Sequence, residues 1–221
     1  MGAYRFLSAQ QHVHAGHVAI FGHSEGALFA LALAAGAGGP ALHPATLALL
    51  EPPGLRYLTL LLGQLDAQIA RARAAGHLDA AAVARQLAIV ASTVARIRAH
   101  GSAPPGLPSG LAQLFTPINA RFLARADELD PARLAARLPP RLPVLISCSD
   151  ADQNVTCAQA ERLSSARPGG AASPGLVRQF GVSHELALAP SVSSPSSAMP
   201  APLPLTAPLP RAIATWTARL R

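Results

Sequence analysis

A serine hydroxyl is a poor nucleophile at neutral pH. It attacks a carbonyl when a base takes its proton and a carboxylate holds that base. This chain offers all three groups. Ser24 lies in Gly22-His23-Ser24-Glu25-Gly26, after the apolar run 18–21 and before the helix-forming run 27–35. Strand, sharp turn and helix together form the setting in which a G-x-S-x-G match gains meaning. The turn strains the serine backbone, and a glycine two residues to either side is expected to prevent a clash between strand and helix. The helix then directs its positive end at the site, where the backbone N–H of Glu25 can meet a developing oxyanion. An acid follows the apolar run 142–148 in Ser149-Asp150-Ala151-Asp152. Asp152 is the preferred carboxylate and Asp150 the near alternative, one holding the histidine while the other caps the turn. Among eight histidines, only His184 follows both Ser24 and Asp152, and it comes just after a short strand read at 176–180.

These groups need a sheet whose strands all end on one side. Apolar runs at 18–21, 45–50 and 144–148 and a further short run at 176–180 predict four strands, and helical segments alternate with them, which points to an α/β fold with a mostly parallel sheet. Residues 57–100 are helical by pattern. Leu58, Leu61, Leu62, Leu65 and Ile69 form one stripe and Val83, Leu87, Val90, Val94 and Ile97 a second, with Asp79 as the start signal of the second helix. Three parts follow: 1–54 with the nucleophile turn, 55–138 as a helical cap or insertion covering the site, and 139–221 with the acid and the histidine. The Pro- and Ser-rich stretch 190–210 reads as an exposed loop, and 211–220 as a closing helix.

Composition narrows the function. The chain has 221 residues, half of them hydrophobic, enough for a sizeable core. Its formal charge is +7, yet every basic residue is Arg and the arginines are scattered over the helices, which argues against nucleic-acid binding. Glycines and Pro40 interrupt the apolar stretch 27–50, so no membrane span is expected. No signal-peptide pattern opens the chain, which leaves the compartment open with the cytoplasm as the expectation. Cys148 and Cys157 show no metal-ligand spacing, a disulfide is not expected, and Cys148 reads as a small buried hydrophobe. No metal or organic cofactor is implied.

With these residues placed, the chain resembles the α/β-hydrolases of the serine esterase and aminopeptidase-like bacterial kind. Gly-His-Ser-Glu-Gly matches their nucleophile elbow (Gly22, His23, Ser24, Gly26). Val-Leu-Ile-Ser-Cys-Ser-Asp-Ala-Asp is similar to their strand-then-acid segment, with Ser149 where glycine is usual, which aligns Asp152 with the acid. Gly-Val-Ser-His is similar to the histidine segment. Leu114-Phe115-Thr116-Pro117 and Asp130-Pro131 also resemble bacterial members. The family carries further strands and an oxyanion-donating loop before the nucleophile, whereas Ser24 has 23 residues before it. The expectation is a partial α/β-hydrolase fold lacking the N-terminal strands, with strand 18–21 as an exposed apolar edge open to self-association. The resemblance implies hydrolysis of a small-molecule ester or related acyl bond through Ser24, His184 and Asp152. The alternatives are acyl transfer by the same triad and a truncated remnant that acts at most as a binding module.

Overall fold

Four runs of apolar residues form the sheet. The computed structural model describes residues 2–40, 42–168, 175–188 and 208–218. Strands β1 (Ala19–His23), β2 (Thr46–Leu50), β3 (Val144–Ser149) and β4 (Gly175–Gln179) lie side by side in that order, all parallel. β2 and β3 are buried along their whole length. Central parallel strands are covered on both faces, which is why their sequences are mostly apolar, with Thr46, Ser147 and Ser149 as their buried polar residues. Helix α1 (Gly2–Ser8) precedes β1, and α2 (Glu25–Ala34) packs on β1 and β2. On one face, Ala48, Leu50 and Leu145 meet a helix formed by Pro208–Thr217 through its Leu209 and Trp216. Side chains alternate along a strand, so Leu47, Leu49 and Ile146 point to the opposite face, and they are buried too. β1 forms one edge of the described sheet, with Phe21 53% exposed.

The chain divides into two compact units, Met1–Gly54 with Pro131–Arg221, and Leu55–Asp130. The second is helical throughout: α3 (Tyr57–Ala74), α4 (Ala80–His100), α5 (Ser109–Leu114) and α6 (Pro117–Asp127). Asp79 caps α4 by accepting from the Ala82 N–H, and Pro117 opens α6 in its first turn. Leu58, Val94, Ile97, Phe115, Ala120 and Leu123 form the core of this unit. Among the described residues α4 alone has the length and apolar character of a membrane-crossing helix. Its Val90, Thr93, Val94 and Ile97 are buried within the unit, while most of its apolar stretch is not.

The sequence boundary at 138 needs correcting. Helix α7 (Pro131–Ala136) packs on α2 and on α8 (Cys157–Ala166), so it belongs with the sheet rather than with the helical insertion. The closing helix, α9 (Pro208–Thr217), starts earlier than the sequence pattern suggests. Most of the Pro- and Ser-rich stretch before it lies outside the described residues. The four-stranded parallel sheet with flanking helices, and the strand–turn–helix around Ser24, form the mostly parallel α/β architecture expected from the sequence.

Candidate active site

Ser24 sits between β1 and α2 with φ 52 and ψ −123. Only glycine adopts a positive φ without strain, so a serine held there needs support from its surroundings. The Ser24 N–H donates to the Leu50 carbonyl at the end of β2, and the Ser24 carbonyl accepts from the Ala27 N–H as the first bond of the helix. A Cβ at Gly22 would lie 2.3 Å from the Gly26 carbonyl oxygen and 2.7 Å from the Ala27 Cα. Strand and helix therefore approach closely enough to exclude any side chain at position 22. At Gly26 an added Cβ meets nothing within 4 Å, so the symmetric role expected of the two glycines does not hold. Gly26 contributes the backbone that crowds Gly22.

Asp152 lies in the turn after β3, its side chain buried. Its Oδ1 accepts from the N–H groups of Asn154 and Val155, at 2.7 and 2.9 Å. Its Oδ2 lies 2.7 Å from His184 Nδ1. One carboxylate thus shapes its own turn and holds the histidine, where the sequence suggested a division of labour with Asp150. Asp150 acts elsewhere. Its Oδ1 accepts from the Gly181 N–H at 2.7 Å and ties down the histidine-bearing loop. Ser149 Oγ reinforces that tie by accepting from the Val182 N–H.

His184 stands in the loop after β4, and its Nε2 lies 2.7 Å from Ser24 Oγ. A carboxylate only accepts, so the proton is on Nδ1 and the Nε2 lone pair faces the serine hydroxyl. The bond to Asp152 raises the proton affinity of His184, against the opposing effect of burial, and the charges of Asp152, Glu185 and Glu51 raise it further. Burial alone would push the Asp152 carboxyl up. The hydrogen bonds from His184, Val155 and Asn154 outweigh burial and hold it below its ordinary value. His23, which precedes the serine, donates from Nε2 to the His184 carbonyl at 2.8 Å, and the two rings lie 5.1 Å apart. Glu25 opens α2, which places its N–H in the first helical turn.

Two features are absent from the sequence-based expectations. Cys148 at the end of β3 and Cys157 at the start of α8 form a disulfide, with Cα atoms 5.0 Å apart. This corrects the expectation of an unpaired Cys148. The acid-bearing turn folds back on itself, so the two cysteines, nine positions apart, become neighbours. The second feature is Glu51, fully buried at the exit of β2 with φ 46. Its neighbours Pro52, Pro53 and Gly54 give it the sequence setting of an ordinary exit turn. The signal available was a lone acid directly after the apolar run 47–50, at the end of the sheet where α/β folds bind ligands. Among the described residues no group of three or more His, Cys, Asp or Glu is placed to hold a metal ion.

No protein-family model and no curated protein sequence matches the chain. Solved structures with a similar chain path include acetyl xylan esterase 1 from Thermoanaerobacterium sp. JW/SL YS485, at 13% identity and a TM-score of 0.46, covering 99% of this chain and 50% of that one. E-2-(acetamidomethylene)succinate hydrolase is 22% identical with a TM-score of 0.45, covering 84% of this chain and 64% of that one. The enol-lactonase from Burkholderia xenovorans LB400 is 16% identical with a TM-score of 0.35, covering 72% and 55%. The chain thus spans less than two thirds of the length of each.

Proposed function

We propose that the chain hydrolyses carboxylic esters or related acyl bonds through a covalent acyl-serine. The observation that carries this reading is the continuous hydrogen-bonded line from Ser24 Oγ through the His184 ring to the buried Asp152 carboxylate, with Ser24 on a strained turn. In the first half-reaction Ser24 Oγ attacks the carbonyl carbon while its proton passes to His184 Nε2. The oxyanion forms near the N-terminus of α2, where the Glu25 N–H is the proposed donor. Collapse breaks the bond to the alcohol, which leaves with the proton from His184. Water then attacks the acyl-serine, giving its proton to His184; collapse breaks the bond to Ser24 Oγ, which takes that proton back from His184 as the acid product departs. Asp152 stabilises the imidazolium formed in each half and remains ionised throughout.

The test compares hydrolysis of p-nitrophenyl acetate and butyrate by the chain and by Ser24→Ala. A loss of at least about 10³-fold in kcat is expected. Equal rates would remove the hydrolase reading. Product analysis with added alcohols separates hydrolysis from transfer, since a transferase forms the new ester in preference to the free acid.

A further inference from the structure

Glu51 closes β2 where β1, β2, β3 and β4 all end, yet no step of the proposed reaction uses it. Its positive φ is one that non-glycine residues seldom adopt. A strained position is worth a functional hypothesis when the side chain it aims makes specific contacts. Here the side chain reaches across two strands. Glu51 Oε1 accepts from Ser147 Oγ on β3 at 3.2 Å and from Gln179 Nε2 on β4 at 3.1 Å. Ser147 lies five positions before Asp152, and Gln179 five before His184. One carboxyl group thus braces the roots of both loops that carry the acid and the base. Its other oxygen, Oε2, is buried without a hydrogen-bond partner among the described residues. An amide or a pair of hydroxyls could brace two strands equally well, so the retention of a buried acid calls for an explanation beyond bracing.

We propose that Glu51 is a positioning residue for this hydrolysis, one that braces the Asp152 and His184 loops from the end of β2 and adds a second negative charge on the side of the base. The inference rests on the reading of His184 as the base. The titratable groups whose charges act on Glu51 are Asp152 from the turn after β3 and His184 from the loop after β4. Ser147 and Gln179 are its neutral partners. Glu185 acts on His184 in the same direction as Glu51 does, and His23 of β1 adjoins the His184 ring. Burial, followed by the Asp152 charge, pushes the Glu51 carboxyl up to about 7, against the pull of Ser147, His184 and Gln179. It therefore gains and loses its charge over the same pH range in which His184 must be neutral to accept a proton. When ionised, Glu51 gives the imidazolium a second negative neighbour; when protonated, it leaves Asp152 alone.

Glu51→Gln keeps the size and the accepting oxygen and removes the charge at every pH. The acid limb of its kcat/KM profile is expected to move to lower pH by more than about half a unit, with kcat reduced most above pH 8. A uniform loss at all pH, or an unmoved limb, would overturn the proposal and leave Glu51 a structural brace. The unmutated chain carries a second test that needs neither folding of the variant nor catalysis. The His184 ring, followed by ¹⁵N NMR against pH, is expected to titrate in two coupled steps. A single-step curve overturns the proposal even if Ser24→Ala has established the hydrolase. Should Ser24→Ala instead leave esterase activity intact, the two-step curve would still report the Glu51–His184 coupling by itself.

Discussion

Gly22 and Gly26 flank Ser24 symmetrically in sequence but not in space. Gly22→Ala forces backbone against backbone and is expected to destabilise the sheet-bearing unit by more than about 2 kcal/mol. Gly26→Ala places a methyl group in open space within the first turn of α2 and is expected to be neutral or to stabilise by about 0.5–1 kcal/mol. Urea midpoints of the two variants check this, and equal losses would contradict the packing described. Glu51 makes a prediction in pH. The unfolded carboxyl releases its proton near pH 4.5, the folded one at about 7. In between, the native state holds a proton that the unfolded state lacks, so stability falls as pH rises, by about 3 kcal/mol in all. Asp152 acts in the opposite sense: its folded value lies below 3.8, so its contribution is present above that pH and lost as pH falls through the folded value. His184, raised above 6.5, contributes stability below that pH that is lost as pH rises through its folded value. Urea midpoints measured from pH 4 to 8 are expected to decline more shallowly between 4.5 and 7 in Glu51→Gln, while a decline due to His184 remains and the Asp152 loss lies below this range.

The turn between β3 and α8 carries Asp152 and is closed by the bond between Cys148 and Cys157. Closing a loop of this length stabilises by about 2–3 kcal/mol on the chain-entropy account. Reduction with dithiothreitol is expected to lower the urea midpoint of the sheet-bearing unit by a corresponding amount, and Cys148→Ala, which opens the same loop, to show no further loss on reduction. Identical midpoints with and without reductant would mean that the bond does not form. The elements themselves were largely legible in the sequence. Each of the four strands falls within a residue or two of a run read as a strand in the sequence, because those runs stay mostly apolar even where Thr46, Ser147 or Arg178 interrupts them. Ser24, Asp152 and His184 were legible for a related reason, each following such a run closely enough to stand at the same end of the sheet. The disulfide was not, because the path of a turn determines which residues it brings together and composition carries no record of that path. The double role of Asp152 and the inward reach of Glu51 were hidden likewise: both depend on where a carboxylate's second oxygen points.

The two units have separate cores and need not unfold together. In the helical unit, buried Asp127 gathers the Leu58 N–H, Arg56 and Arg98 around one carboxylate. Removing it leaves the buried Leu58 N–H unpaired, while Arg56 and Arg98, whose side chains are 46% and 39% exposed, turn to water, so Asp127→Ala is expected to destabilise this unit by about 1–3 kcal/mol. The single tryptophan, Trp216, packs in the sheet-bearing unit and reports on that unit alone. The variant should lose far-UV helical signal at lower urea than it loses native Trp216 fluorescence, and coincident transitions would show that the units melt as one. The division also bears on synthesis. β2 must pair with β3 across an intervening stretch of more than eighty residues, and that stretch contains the whole helical unit. The helical unit leaves the ribosome before β3 exists. If it folds at once, its two ends need to find each other over a short effective distance instead of across a long unfolded coil. The insertion would then lower the contact order that the sheet meets as it closes, and a chain whose insertion melts early would pair its central strands more slowly.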